Sequence, residues 1–118
     1  MDELTDDAIA GPFRLLQRRR GHRYSLDDVA TAWEAARARP SAQRYLDLGC
    51  GVGSVLLMVA YKVRPARVLG VEAQEASAAL ARENVRRNGL DARIVHADLR
   101  EVALAPEHDL VTGTPPYV

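Results

Sequence analysis

Residues 46–53 read Leu-Asp-Leu-Gly-Cys-Gly-Val-Gly, an apolar strand end running into glycines at 49, 51 and 53. Glycines at alternate positions let a chain turn sharply out of a strand and bring its backbone close against a ligand, because no Cβ stands in the way. The helix that follows then starts beside that ligand. Glycines also serve plain turns, so the surroundings decide. Val68-Leu69-Gly70-Val71-Glu72 is a second apolar run ending in an acid, at the distance where an α/β fold presents a carboxylate to two ribose hydroxyls. Ile94-Val95-His96-Ala97-Asp98 repeats the pattern, and Asp109-Leu110-Val111-Thr112 repeats it again before Thr114-Pro115-Pro116-Tyr117. Four short strands, each closed by a polar or glycine-containing turn, define an α/β chain with a parallel, Rossmann-like sheet.

The loop chemistry selects among ligands. A dinucleotide fold completes G-x-G-x-x-G with a glycine at position 54, where this chain has Ser54. Asp47, just ahead of the glycines, places a carboxylate where a dinucleotide carries phosphates. A ligand bearing an ammonium or sulfonium group suits that carboxylate better. S-adenosylmethionine is therefore favoured over NAD, which survives only if Glu72 takes a ribose of NAD despite the glycine spacing.

D-L-G-C-G-V-G, V-L-G-V-E, A-D-L and T-P-P-Y, in this order, resemble the class I S-adenosylmethionine-dependent methyltransferases over residues 22–118. The Pro-Pro-Tyr signature is similar to that of enzymes methylating planar nitrogens: exocyclic amines of adenine or cytosine, or a glutamine side-chain amide. The stretch Gln17-Arg18-Arg19-Arg20-Gly21-His22-Arg23-Tyr24-Ser25-Leu26-Asp27 resembles the entry segment of bacterial tRNA adenine-N6 methyltransferases. The resemblance implies roles for individual residues. Asp47 and the loop residues Gly49, Cys50, Gly51 and Gly53 would hold the methionine end of the cofactor. Glu72 would take the ribose, and Ala73 would pack on adenine. Asp98 would accept the adenine amino group while the amide of Leu99 reaches a ring nitrogen. Thr114 departs from the pattern, which has Asn or Asp at this position and Ser in some relatives. A Thr hydroxyl still accepts one bond, but it lacks an amide carbonyl and its branching limits rotation.

The chemistry of that motif stands on physical grounds. An aromatic or amide amine has a delocalised lone pair and attacks poorly until two acceptors pull on its hydrogens and favour a tetrahedral nitrogen. Thr114 and the carbonyl of Pro115 would supply them. The Pro115-Pro116 pair fixes the backbone of the turn, and Tyr117 offers a ring for a base to stack on, a contact worth roughly 1–3 kcal/mol. Standing alone, Pro-Pro-Tyr is an ordinary rigid turn; after the fourth strand it reads as an acceptor site.

Charge and composition narrow the partners. Sixteen basic and sixteen acidic side chains cancel over 118 residues, so no global field attracts nucleic acid. Residues 1–7 are acidic and residues 14–23 strongly basic; the basic run reads as a solvated face or as a track for phosphates. tRNA enters as a candidate substrate on that run and on the resemblance. The single Cys50 forms no internal disulfide, which points to a reducing cytoplasm. No apolar run approaches the roughly 20 residues of a membrane span.

Three helices are expected. Ser25 and Asp28 resemble a capping box, after which Val29, Ala32, Trp33 and Ala36 share a face until Pro40, with Trp33 in the core. A second helix covers residues 54–62. The longest covers residues 74–88, with Ala76, Ala79, Leu80 and Val85 inward, Arg82, Arg86 and Arg87 on a wet face, and Asn88-Gly89 as a left-handed stop. His96 reads as structural, and His108 as a loop residue without chemistry.

The resemblance implies seven strands in the order 3-2-1-4-5-7-6, of which four (3-2-1-4) fit here. Residues 1–24 are therefore read as an N-terminal basic entry segment and residues 25–118 as the cofactor-binding half of a methyltransferase domain. A non-catalytic cofactor-binding or interaction module is the alternative, as are DNA and protein glutamine acceptors. The fourth strand is expected at an open edge, with Leu110 and Val111 facing water and inviting self-association.

Overall fold

The computed structural model describes residues 3–20, 23–98 and 108–113. Its elements, in chain order, are β1 (Leu4–Ala10), β2 (Phe13–Arg18), α1 (Leu26–Ala38), β3 (Arg44–Leu48), α2 (Ser54–Val63), β4 (Arg67–Glu72), α3 (Glu75–Arg87), β5 (Arg93–His96) and β6 (Leu110–Gly113). The last four strands form a parallel sheet in the order β5-β4-β3-β6, the 3-2-1-4 order that the resemblance implies. Adjacent parallel strands need long crossovers. Here α2 and α3 supply two of them.

Register sets which side chains meet. Asp47 stands opposite Gly70 on one side and Thr112 on the other, and Tyr45 stands opposite Val68 and Leu110. Alternation then puts Tyr45, Asp47, Gly70, Ile94, Leu110 and Thr112 on one face of the sheet. That face carries the core with Ala32, Ala35, Leu56, Met58 and Val59. Gly70 is small for a packing reason: a Cβ there would come within 2.9 Å of the tips of Ile94 and Leu56 and 3.1 Å of the Cys50 sulfur. Gly70→Ala is expected to destabilise the chain by about 1–3 kcal/mol, the usual effect of overpacking, measured as a lowered urea midpoint at unchanged slope.

The N-terminal segment, expected only as a basic entry segment, is an antiparallel hairpin. Its inner strand buries Leu15 and Gln17, the alternation of a half-buried strand. Asn84 fastens it to α3, accepting from the Leu16 amide at 2.7 Å and donating to the Leu16 carbonyl at 2.8 Å. Asn88 does the same for Arg14, at 2.8 and 2.7 Å. The acidic and basic runs largely answer each other: Asp6 pairs with Arg14 and Arg87, Glu3 with Arg19, and Asp7 with Arg23. Arg14, Arg19 and Arg23, three arginines of the basic run, are thus paired with the acidic residues of the N-terminal segment.

Two helix faces differ from expectation. In α1 the buried stripe is Asp28, Ala32 and Ala35. Trp33 is not core: it is 53% exposed and lies under the Lys62 ammonium, 4.0 Å from the ring centroid. Small residues let α1 approach the sheet and α2 closely, and the large ring is left at the rim with the Lys62 ammonium over it. In α3 the buried residues are Ala78, Ala81, Asn84 and Val85, whereas Ala76 and Ala79 are exposed and Leu80 is half-buried. Asn84 turns inward because the hairpin backbone supplies its partners, and that sets the rotation of the helix. Gly89, at φ +64°, provides the expected left-handed stop.

β6 is an edge of the sheet among the described residues. Its exposure alternates: Val111 is 51% exposed as expected, but Leu110 is 7% exposed, turned into the core on the face it shares with Tyr45.

Candidate functional site

The C-terminal ends of β3, β4 and β5 lie side by side, where ligands of open parallel sheets bind. The turn out of β3 has Gly49, Gly51 and Gly53 at φ +71°, +57° and +100°, values that a side chain would strain. The turn is stitched to β4: the amides of Gly49 and Cys50 both donate to the Val71 carbonyl, at 2.8 and 3.0 Å. Gly53 caps α2. The space where a Cβ of residue 51 would stand is open, so the loop presents bare backbone on that side.

Three carboxylates gather around this loop. Glu72, at the end of β4, accepts from the Gly51 amide through Oε1 and from the Gln74 amide through Oε2, each at 2.9 Å. Each oxygen keeps a second acceptor position for a ligand hydroxyl. Asp28, in the first turn of α1, accepts from the Ser25 amide at 3.2 Å and from the Ser54 hydroxyl at 3.3 Å. The spacing Ser25-x-x-Asp28 signals a helix cap alone, and the place of Asp28 beside the loop comes from the packing of α1 against α2.

Asp47 is fully buried at the strand end. Its Oδ1 accepts from the Thr112 hydroxyl at 2.7 Å, and Thr112 in turn lies 2.6 Å from the Tyr45 hydroxyl. Its Oδ2 is buried without a hydrogen-bond partner. Burial above all, and then the negative charges of Asp28 and Glu72, push the Asp47 carboxyl up to about 7, while the Thr112 hydrogen bond opposes the rise. Cys50 is buried within the loop, and burial pushes its thiol up as well.

The residues present fit a cofactor with a cationic amino-acid end and a ribose: an orphaned carboxylate oxygen, an open glycine backbone, and a carboxylate with two free acceptor positions. Ala73 is exposed just beyond Glu72, and its carbonyl meets His96 Nε2 at 3.0 Å. His96 therefore steadies the β4 turn, in keeping with a structural role. Asp98 is half-buried one residue after Ala97, whose amide bonds the Glu72 carbonyl at 3.0 Å. Leu99, Thr114, Pro115, Pro116 and Tyr117 lie outside the described residues. No group of three or more His, Cys, Asp or Glu among the described residues is arranged to hold a metal ion. No helix among them is long and apolar enough to cross a membrane. A cleft of about 280 Å³ lined by Phe13, Tyr61, Arg64 and Leu90 lies at the C-terminal end of α2, the far end of that helix from the glycine loop.

The chain is similar in sequence and fold to known proteins. The release factor glutamine methyltransferase of Geobacter sulfurreducens is 34% identical over 72% of the chain and 30% of its own length. The tRNA1(Val) (adenine(37)-N6)-methyltransferase of Bacteroides thetaiotaomicron is 36% identical over 73% of the chain and 36% of its own length. The chain thus spans about a third of these curated relatives. Among solved structures, the tRNA (uracil-54, C5)-methyltransferase of Pyrococcus abyssi in complex with S-adenosyl-L-homocysteine superposes with a TM-score of 0.78 at 25% identity, covering 97% of this chain and 28% of that one. S-adenosylmethionine is the cofactor of this family of folds. The methyltransferase small domain model matches residues 26–118, and on that match the chain belongs to the methyltransferase small domain family.

Proposed function

We propose that the chain is the cofactor-binding part, residues 25–118, of an S-adenosylmethionine-dependent N-methyltransferase whose acceptor is a planar nitrogen, the exocyclic amine of adenine in RNA, in a reducing cytoplasm. The observation that carries the cofactor reading is the buried, unpartnered Oδ2 of Asp47 beside a glycine loop pinned by Glu72. When bound, S-adenosylmethionine supplies a methyl group on a sulfonium, which needs no metal and no general base to be electrophilic.

The chain's own residues do the rest. Asp47 holds the cationic amino-acid end, and the amides of the loop at Gly49, Cys50, Gly51 and Gly53 set the approach. Glu72 accepts from the ribose, Ala73 packs on adenine, and Asp98 with the Leu99 amide reads the base. Thr114 and Pro115 accept the two hydrogens of the target amine, Pro116 stiffens the turn, and Tyr117 stacks on the acceptor. In-line positioning provides most of the acceleration.

The relative acting on tRNA adenine supports the RNA acceptor, and Thr114-Pro115-Pro116-Tyr117 supports the nitrogen. The release-factor relative supports a glutamine amide as the second reading; that acceptor is also planar nitrogen, so both share one mechanism. Incubating the protein with radiolabelled cofactor and total tRNA, DNA or release factors is expected to label tRNA, with N6-methyladenosine as the product seen by nucleoside mass spectrometry. Label on carbon, on ribose oxygen or on a protein carboxylate would rule the nitrogen reading out.

A further inference from the structure

The end of β6 makes a buried contact that the cofactor motifs do not account for. Thr112 stands directly opposite Asp47 in the parallel register, and its hydroxyl donates to Asp47 Oδ1 at 2.7 Å. With its one proton so used, the Thr112 oxygen accepts from Tyr45, whose hydroxyl is 2.6 Å away. Tyr45, Asp47 and Thr112 are all buried, and their chain of bonds ends at the unpartnered Asp47 Oδ2.

We propose that Thr112, itself held by Tyr45, is the positioning residue for Asp47: it fixes one carboxylate oxygen so that the other is left free for the cationic group of the cofactor. The inference rests on the cofactor reading above and adds to it a strand. Thr112 lies on β6, two residues before Thr114, so the strand leading into the acceptor motif also orients the carboxylate at the cofactor end.

Buried carboxylates keep their protons unless a donor or a cation stabilises the charge. The charged groups facing Asp47 are both acidic, Asp28 from α1 and Glu72 from β4, and the neutral Tyr45 and Cys50 lie beside it on β3 and in the loop. Thr112 supplies the hydrogen bond that favours the ionised form. Removing it therefore shifts ionisation of Asp47 upward in pH, and a ligand that needs the carboxylate then binds only at higher pH.

Two titrations test this on the folded protein. In the ligand-free wild type, the ¹³C carboxyl signal of Asp47 is expected to titrate with a midpoint near 7. Thr112→Val moves the midpoint up, Tyr45→Phe moves it less in the same direction, and Thr112→Ser restores it. Calorimetry with S-adenosylhomocysteine is expected to show wild-type affinity falling up to tenfold per pH unit below that midpoint, with the break moved upward in Thr112→Val. An Asp47 that titrates near 4, or a Thr112→Val variant weakened by one factor at every pH, overturns the proposal. If Asp47 titrates as expected yet S-adenosylhomocysteine binds at no pH, the cofactor reading itself falls, and the positioning role with it.

Discussion

Replacing Asp47 by asparagine is expected to stabilise the ligand-free chain at neutral and alkaline pH while weakening its hold on a cationic cofactor. In the unfolded chain Asp47 ionises at the ordinary 3.8, whereas burial first, then the charges of Asp28 and Glu72, keep it protonated up to about 7 in the fold. Between those values the folded state holds the extra proton, so stability falls as the pH rises through the window and levels off above about 7. The loss amounts to about 4 kcal/mol. Asparagine cannot ionise and keeps the acceptor for Thr112, while its NH₂ puts two neutral donors where the protonated acid has one. Asp47→Asn should therefore match the wild type near pH 4 and exceed it by about 4 kcal/mol above pH 8, read from urea unfolding at the two pH values. Parallel pH profiles for the two proteins would remove the buried charge from the account. The same variant should lose on the order of 1.5–3 kcal/mol of cofactor binding, the worth of a hydrogen bond to a charged group.

Glu72 is expected to tolerate neither alanine nor glutamine. Two backbone amides, of Gly51 and Gln74, converge on its two oxygens at 2.9 Å each. Alanine removes the acceptor proposed for the ribose and releases Gly51, whose left-handed turn the carboxylate pins. Glutamine keeps the shape but turns an NH₂ toward one of those amides, setting donor against donor. Both variants should weaken cofactor binding by on the order of 1.5–3 kcal/mol, and both should raise the exchange rate of the Gly51 amide. A glutamine variant binding as tightly as the wild type would show that the two amides do not need the full carboxylate.

How far the sequence reveals this arrangement depends on whether the relevant forces are local. The glycine turn, the three helices and the acid at the end of β4 are written in contiguous residues, whereas the strand order comes from the resemblance to the class I methyltransferases. The hairpin carries a signal, alternation of Phe13, Leu15 and Gln17 after Gly11-Pro12, but the charge runs around it draw the eye to solvent and phosphate. Those charges instead pair across the two strands. Helix faces are harder to read. Asn84 is buried by partners 68 residues away, and Trp33 is displaced to the rim by alanines that pack more closely. The Tyr45-Thr112-Asp47 chain is invisible locally because cross-strand register comes from topology.

Calorimetric titration of the protein with S-adenosylmethionine, S-adenosylhomocysteine and NAD at pH 8 tests the central claim most directly. The account predicts binding of both S-adenosyl compounds in preference to NAD, weakened in Asp47→Asn and in Glu72→Ala. Equal affinity for NAD, or S-adenosyl binding unchanged in both variants, would contradict it.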